Sequence, residues 1–436
     1  MKLSKYVRLI PFNEDEVIMY DSIGHSVVTL PKDYVIENSC LSDDCDEESV
    51  SVLSEMGYFL SDIDPVILKS RIINDEKLFI SLELNLSCNM RCPYCYQSGA
   101  DKSRVVSYET LDLLANYFEF VYSHNSFKEL HIKILGGEPT LEWTRFEYIY
   151  NKSKEFCRNR GIKFCVLIDT NGTNVDKILK LDNYDNLLLT IPLTEKSCHN
   201  SVRFDEQGNG TYDRIIQNIN KLAVMKNIKI VLRYNVDTDN IGYFDQYLDD
   251  LKSKISFTPV ICVNYTINFE CGTEYENKLT YDEFVKWSST IAIDLLIKAG
   301  FNVTISPLIS IEECQFRSNY SLKLFADGTI GSCATNFFDN QREFLKDIIA
   351  EPVNNFWSAK KRQTLLADEE CLTCSSLFLC GGTIKLPCLQ PLTTMRCDIN
   401  GNHTVLLDEF LKRYVRYENE GKGEMFSVFK DGIAFR

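Results

Sequence analysis

Residues 78–305 alternate between strand-like and helix-like segments, and this alternation restricts the fold more than any other feature. The strand-like segments are apolar or alternating; they read "LFISLELNLS", "LHIKILGG", "KFCVLIDTNG", "LLLTIPLT", "IKIVLRYNV" and "TPVICVNYTI". The segments of helical period are "SYETLDLLANYFEFVYSH", with Ser107 as the predicted N-cap, "RFEYIYNKSKEFCRNRG", "YDRIIQNINKLAVMK", "YFDQYLDDLKS" and "YDEFVKWSSTIAIDLLIKAG". This order predicts an α/β fold, a partial (β/α)6 TIM-like barrel with its functional loops at the carboxyl ends of the strands.

The regions on either side of residues 78–305 differ in character. Residues 1–77 predict a small separate module, with short strands that turn at Asn13–Glu14 and at Ile23–Gly24. An acidic linker, "SDDCDEE", follows, and then a short helix containing "VSVLSEMGYFL". Residues 306–400 are rich in cysteine and lose the β–α rhythm, which indicates a domain organised by metal. Residues 401–436 form a C-terminal extension.

Charge and hydropathy exclude two classes of partner. The formal net charge of −15 disfavours nonspecific binding to nucleic acid phosphates. The sequence has no apolar run long enough to cross a membrane, and its start, "MKLSKYVRLIPFNEDE", lacks the apolar stretch of a signal peptide. We therefore expect a cytoplasmic protein that binds neither nucleic acid nor membrane.

Cysteine is unusually frequent, with 17 residues in 436. An odd number without an export signal disfavours a disulfide framework and favours metal binding or redox chemistry. Ten of the cysteines fall in three groups with the spacing of ligands: 88/92/95, 314/333 and 371/374/380/388/397. We interpret the remaining seven as ordinary buried or surface thiols.

The first group, "CNMRCPYC", contains Cys88, Cys92 and Cys95. A structural zinc ion is the ordinary alternative, but such sites usually take four ligands, and here there is neither a second C-x2-C pair nor a nearby histidine. Three thiolates on one loop can instead hold three irons of a [4Fe–4S] cluster. The fourth iron would then be open to a small molecule.

Two neighbouring motifs identify a family. Tyr94 gives the first group the form C-x3-C-x-aromatic-C, and "LGGEP" ends the second predicted strand with Gly136, Gly137, Glu138 and Pro139. Together these motifs resemble the radical S-adenosylmethionine (SAM) enzyme superfamily. The resemblance implies that SAM chelates the open iron and that the glycines allow close approach. It also implies that the carboxylate of Glu138 accepts a hydrogen bond from the SAM ammonium group.

The resemblance implies a reaction as well. One electron, from a donor such as flavodoxin or ferredoxin, cleaves SAM into methionine and a 5′-deoxyadenosyl radical that abstracts hydrogen from a substrate C–H bond. The cofactors supply this chemistry, while the protein positions the target hydrogen and excludes water.

Other strand ends offer further SAM contacts. In "TIPLTEKSCHNSVR", Thr190 and Arg203 match a serine and an arginine of related enzymes, although the Asp-Gly that usually follows the serine is missing. "LRYN" places Arg233 and Asn235 on one face of a strand, directed into the same cavity or into an ion pair. Asn171 in "DTNGT" is expected in a turn near the site.

The C-terminal cysteines resemble the SPASM domain, which carries two auxiliary [4Fe–4S] clusters in radical SAM peptide-modifying enzymes. A pair of zinc knuckles is the alternative, but seven cysteines divide poorly into fours. By position, the outer cluster takes four ligands: Cys371, Cys374, Cys380 and Cys397. The inner cluster takes three: Cys314, Cys333 and Cys388. Its fourth iron is therefore open, or is filled by Cys271 or Cys262, and the chain would hold three clusters in all.

An open iron on the inner cluster could bind a substrate thiolate and lead to a thioether, whereas a closed cluster suits carbon–carbon coupling or oxidation. The leading hypothesis is therefore a maturase that cross-links a ribosomally made precursor peptide. Residues 5–62 resemble the winged-helix-like element that recognises the leader of such a precursor, or else form a structural cap. Ala334, in place of an aspartate of sulfatase-activating relatives, argues against sulfatase maturation.

Three alternatives remain open. A peptide epimerase would need a hydrogen donor such as Cys198 or Cys271. A small-molecule SPASM dehydrogenase would have the same cofactors. A non-enzymatic metal-binding interaction protein is the most distant alternative, and no general acid or base is identified.

Overall fold

A computed structural model describes residues 1–24, 26–36, 40–59, 75–181, 184, 186–265, 275–303, 320–331, 343–350, 375 and 402–426. The predicted auxiliary-cluster ligands lie outside these residues, namely Cys314, Cys333, Cys371, Cys374, Cys380, Cys388 and Cys397. Cys271 and Ala334 also lie outside them. Within the described part of the chain, no helix is both long and apolar enough to cross a bilayer.

Short antiparallel strands form the N-terminal region. A three-stranded meander contains β1 (Val7–Pro11), β2 (Glu16–Asp21) and β3 (Ser26–Pro31), and a small pair contains β4 (Val35–Ile36) and β5 (Cys40–Leu41). The helix that follows, Glu47–Glu55, begins inside the stretch predicted to be an acidic linker. That expectation was wrong because Asp46 caps the helix, accepting a 2.7 Å hydrogen bond from the Ser49 amide.

Six parallel strands form the centre of the protein in sequential order: β6 (Lys77–Glu83), β7 (Glu129–Leu135), β8 (Lys163–Asp169), β9 (Leu187–Pro192), β10 (Ile228–Val236) and β11 (Val260–Tyr265). All six match the predicted segments, so the α/β fold with a parallel sheet is confirmed. Three further strands extend the sheet beyond β6: β12 (Leu322–Leu324), which is parallel to β6, then β13 (Thr329–Gly331) and β14 (Glu343–Phe344). Among the residues that the structure describes, the sheet therefore has nine strands.

Helices follow the parallel strands, and the periodicity predicts all of them except the short helix Lys196–Val202. They are Tyr108–His124, Trp143–Arg160, Lys196–Val202, Tyr212–Leu222, Phe244–Lys254, Tyr281–Ser288 and Ile291–Ala299. The Ser107 side chain caps the first of these, as predicted, accepting from the Thr110 amide at 3.1 Å. The last two were predicted as one helix. They are separate because the chain leaves helical geometry at Thr290, whose hydroxyl donates back to the carbonyl of Lys286 at 2.6 Å.

Two short helices and one long helix complete the described chain: Leu345–Ala350, a 3-10 turn at Gly423–Met425, and Asn402–Asn419. The long helix is tied to the N-terminal meander by Arg8, which donates to both carboxylate oxygens of Asp408 at 2.6 and 2.9 Å. Ile10, Ile18 and Tyr20 are fully buried in the same core as the central sheet. The meander is thus packed directly against the rest of the protein.

Side chains alternate along the parallel strands. On β7, Leu130, Ile132 and Ile134 are buried in the core, whereas Glu129, His131 and Lys133 are half-buried on the opposite face. The strand β7 therefore directs one set of residues into the core and the other, more polar set to the opposite face of the sheet. The carboxyl ends of these strands carry the candidate site.

Candidate functional site

The loop after β6 holds the three predicted cluster ligands, Cys88, Cys92 and Cys95, and all three are half-buried. Burial raises the pKa of the Cys88 thiol and raises that of Cys92 to about 11. Such thiols become thiolates only beside a strong positive charge. A bound metal centre would supply that charge.

The spread of the three sulfurs distinguishes between metals. Among the described residues, the only three potential ligand atoms within 4.8 Å of one another belong to Glu129, His131 and Cys165, at the amino end of the strands. The three sulfurs of the loop are therefore not all within 4.8 Å of one another, whereas the ligands of a single tetrahedral zinc lie about 3.8 Å apart given Zn–S bonds of about 2.3 Å.

The two glycines after β7 pack against the backbone of the cysteine loop. A Cβ atom on Gly136 would lie 2.3 Å from the carbonyl oxygen of Asn85, and one on Gly137 would lie 2.0 Å from that of Ser87. Gly136 also has a φ of +156°. The Gly137 amide donates to the Asn85 carbonyl at 2.8 Å. The glycines therefore fix the position of the segment that leads directly into Cys88.

Glu138 is held by hydrogen bonds from two loops of the protein. It is completely buried, and its carboxylate accepts four hydrogen bonds from protein groups. Oε1 accepts from the amide and hydroxyl of Thr140 at 3.0 and 2.7 Å and from the hydroxyl of Thr170 at 2.8 Å. Oε2 accepts from the amide of Asn171 at 2.7 Å. In this structure the carboxylate joins two loops, and Pro139 begins the turn beside it.

Asn171 lies beside the cysteine loop, as predicted. Its side-chain amide donates to Oδ1 of Asn89 at 2.7 Å and lies 3.8 Å from the sulfur of Cys88. Thr173 closes the network, because its amide and hydroxyl donate to the Asn171 Oδ1 and its hydroxyl accepts from the Asn89 side chain. A continuous set of hydrogen bonds therefore runs from Glu138 to the first cysteine.

Arg203 lies on the other side of the loop, with only 4% of its surface exposed. Its guanidinium donates to the hydroxyl of Tyr94 at 3.1 Å and lies 3.8 Å from the sulfur of Cys92 and 3.9 Å from that of Met90. Its Nε has no hydrogen-bond partner within the described chain. The predicted residues Tyr94 and Arg203 are therefore in contact with each other and with the cysteine loop.

The polar face of the sheet next to the loop contains a group of charges. Asp169, at the end of β8, lies 3.1 Å from the ammonium of Lys133 and 3.7 Å from the guanidinium of Arg233. Burial opposes ionisation of Asp169, but the two cations outweigh it and hold its pKa below the usual value. Thr190 also hydrogen-bonds to Asp169 and is almost buried. Arg233 thus lies in an ion pair, one of its two predicted positions.

Several residues at the site were not identified from the sequence, namely Asn89, Thr140, Thr170, Thr173, Lys133 and Asp169. For Lys133 and Asp169, the sequence does contain a pattern that could have identified them. Lys133 and Asp169 alternate with buried apolar residues on strands of a predicted barrel, a pattern that places them on the inner face. The threonines carry no such signal, since isolated threonines are common in loops.

These residues fit a SAM-bound cluster. Three thiols on one loop offer fewer ligands than a cubane has irons. Two guanidinium groups, Arg203 and Arg233, each have a buried Nε without a hydrogen-bond partner among the described residues, and these N–H groups can donate to a carboxylate such as that of SAM. Oδ1 of Asp169 has no hydrogen-bond partner among the described residues and lies 3.7 Å from the guanidinium of Arg233.

Comparison with known proteins agrees with this geometry. Residues 82–251 match the Radical SAM superfamily. The chain is 31% identical over 160 residues to a cysteine-type anaerobic sulfatase-maturating enzyme of Clostridium novyi, a match that covers 35% of this chain and 39% of that protein. It is 23% identical over 211 residues to the radical SAM cyclopropyl synthase TigE of Paramaledivibacter caminithermalis, covering 44% and 42%. The matched region thus spans about two-fifths of each of these relatives.

Solved structures share the fold. Native anSMEcpe with bound AdoMet and the Cp18Cys peptide has a TM-score of 0.56 at 18% identity, covering 80% of this chain and 99% of that one. SuiB of Streptococcus suis bound to S-adenosylmethionine has a TM-score of 0.51 at 14% identity, covering 87% and 94%. Residues 82–251 therefore form a radical SAM domain.

Proposed function

We propose that this protein is a radical SAM maturase that cross-links a ribosomally made precursor peptide. The observation that carries the proposal is the loop of Cys88, Cys92 and Cys95, which lies at the carboxyl edge of the sheet between Asn171 and Arg203. When bound there, a [4Fe–4S] cluster and SAM supply a 5′-deoxyadenosyl radical that abstracts hydrogen from a residue of the peptide.

The residues of the chain hold and orient this chemistry. Gly136 and Gly137 let the β7 loop lie against the cysteine loop, and Glu138 joins it to the loop of Asn171. Arg203 and Arg233 offer N–H donors to the SAM carboxylate. Close packing of these loops limits access of water to the reacting groups.

A peptide substrate is supported by what the relatives bind or modify. One of the structures with this fold contains a peptide, and two relatives are named as a sulfatase-maturating enzyme and a cyclopropyl synthase. In our proposal, residues 306–400 form a SPASM domain with two auxiliary clusters. We favour a thioether product because three assigned cysteines leave one iron of the inner cluster without a protein ligand. If a protein residue ligates that iron, we expect carbon–carbon coupling instead.

Two free strand edges are available for a leader peptide. Within the described residues, β1 and β3 each pair only with β2, so the meander could accept an added strand. We propose that residues 5–62 bind the leader in this way. We further propose that an electron donor such as flavodoxin or ferredoxin reduces the clusters.

A second candidate is oxidation of a cysteine in a protein substrate. The 31% identity to a sulfatase-maturating enzyme favours it, whereas Ala334 disfavours it. Epimerisation and small-molecule dehydrogenation share the same cofactors and differ in the product.

The proposal is tested with the protein reconstituted anaerobically and a precursor peptide with spaced cysteines encoded beside its gene. Three cubanes require about twelve irons per chain. Loss of two hydrogens per cross-link with consumption of thiols supports a thioether, and the same loss with free thiols supports carbon–carbon coupling. Loss of sulfur indicates sulfatase-type oxidation, and an unchanged mass indicates epimerisation. Zinc in place of iron, or no product from any peptide, would refute the proposal.

A further inference from the structure

Arg203 has unusual surroundings for a cation. It is 4% exposed, and no carboxylate pairs with it among the residues that the structure describes. An isolated buried cation is costly, and proteins normally pair it with an acid or with a metal-bound anion. Its partner should therefore be a negative charge that belongs to the site itself.

The titratable side chains near Arg203 do not provide that charge. The Tyr94 hydroxyl accepts from Arg203 at 3.1 Å and is an uncharged phenol. Burial lowers the pKa of His199 well below its usual value, so this ring is neutral as well. The cysteines remain: the sulfur of Cys92 lies 3.8 Å from Nη1 of Arg203.

The backbone holds Arg203 firmly at this position. Its amide donates to the His199 carbonyl at 2.7 Å, and its carbonyl accepts from the hydroxyl of Thr211 at 2.9 Å. The next residue, Phe204, accepts from the amide of Arg91 in the cysteine loop at 3.0 Å. Loop and arginine are therefore joined through main-chain hydrogen bonds, which keep the cation close to the sulfur.

We propose that Arg203 sets the reduction potential of the SAM-binding cluster. This inference rests on the proposed function, since it requires a cluster on Cys88, Cys92 and Cys95. Reduction transfers one electron from a low-potential donor to the cluster, which becomes more negative by one charge and takes up no proton. Cluster potentials depend on net charge and on hydrogen bonds to the sulfurs. A fixed cation beside Cys92 stabilises the reduced form and makes the electron easier to accept.

The test is a redox titration of the reconstituted full-length protein with dithionite, followed by electron paramagnetic resonance. R203M and R203Q remove the charge, R203K keeps it, and Y94F removes the phenol hydroxyl and leaves the charge. The triple variant C88A/C92A/C95A gives the resonance spectrum of all other centres. The change in the spectrum when SAM is added identifies the cluster on Cys88, Cys92 and Cys95.

At the potential that half-reduces the wild-type cluster, we expect the ratio of reduced to oxidised cluster to fall at least about tenfold in R203M and R203Q. Tenfold corresponds to about 59 mV for a one-electron couple. R203K and Y94F should stay within about threefold of the wild type, because a unit charge beside the cluster remains. Equal ratios in wild type and R203M, with equal iron content, would overturn the inference, as would a shift in R203K as large as that in R203M.

Iron content is measured first. If both neutral variants lose the loop iron and R203K retains it, the charge is needed to hold the cluster, which supports the inference. Loss in R203K as well would mean that the shape of the arginine matters and its charge does not, and would overturn it. A wild-type protein without a SAM-responsive cluster would instead refute the proposed function.

Discussion

Glu138 gives the sharpest test of how the site is held together, because its carboxylate accepts four hydrogen bonds from protein groups and the family resemblance implies a contact with SAM as well. A direct ligand of SAM should be dispensable for folding. In the structure, however, the carboxylate is fully buried and accepts hydrogen bonds from two residues of its own turn and from Thr170 and Asn171. We therefore expect Glu138 substitutions to affect stability and cluster retention before they affect SAM binding.

The magnitude follows from the number of donors left without an acceptor. E138A leaves four, and a buried unsatisfied donor costs about 1–3 kcal/mol, so the loss of unfolding free energy should be about 4 kcal/mol or more. E138Q keeps the shape and one acceptor oxygen but turns an amide NH2 toward one of the donors, which should cost about 2 kcal/mol. Glu142 on the same turn is a matched control, since its ion pair with Arg145 is partly exposed and E142Q should cost less than about 1 kcal/mol.

Three measurements on anaerobic samples decide the matter: the denaturation midpoint, the iron content and the SAM dissociation constant. We predict that E138A loses more stability and more loop iron than E138Q does. E142Q should stay close to the wild type in both. A variant E138Q that has wild-type stability and wild-type iron content but binds SAM much more weakly would show that the carboxylate contacts SAM. It would refute the role of Glu138 in holding the two loops together.

The other predictions concern separate parts of the fold. G137A should displace the cysteine loop and lower iron retention severalfold, because its Cβ would lie 2.0 Å from a carbonyl oxygen, whereas G242A, with open space around it, should be neutral by the same iron assay. Removing Arg8 and Asp408 singly and together should give a coupling energy of about 1 kcal/mol in a denaturation double-mutant cycle, since the pair is bidentate but partly exposed; additive effects would contradict this. The pKa of buried His199 is lowered, so the unfolded chain binds the extra proton: stability should be complete above about pH 6.5 and fall below it, by up to about 1.4 kcal/mol per pH unit. H199Q should have a shallower pH profile of thermal unfolding below pH 6.5, and an unchanged profile would contradict the assignment.

Local features of the fold could be predicted from the sequence, because they depend on residues close together in the chain. The six parallel strands follow from their apolar patterns, and Ser107 and Gly161 act as helix caps as their residue types suggest. The break at Thr290 was missed because a hydroxyl that bonds back to the chain leaves the apolar periodicity intact.

The candidate site divides in the same way. The cysteine loop and the Gly-Gly-Glu motif could be found by spacing. The partners of Glu138 could not, because Thr170 and Asn171 lie more than 30 residues away and meet it only when β7 and β8 pair. The contact between Arg203 and Cys92 spans an even longer stretch of chain, since the two residues are 111 positions apart in the sequence. Pairing of distant strands, and not local pattern, places these groups together.

The central claim is that Cys88, Cys92 and Cys95 hold a cluster that cleaves SAM. Its most direct test is the release of 5′-deoxyadenosine from SAM on anaerobic reduction with dithionite, quantified by chromatography. The account predicts release by the reconstituted wild-type protein and none by C88A/C92A/C95A. No release by a wild-type protein that carries its iron, or equal release by the triple variant, would contradict it.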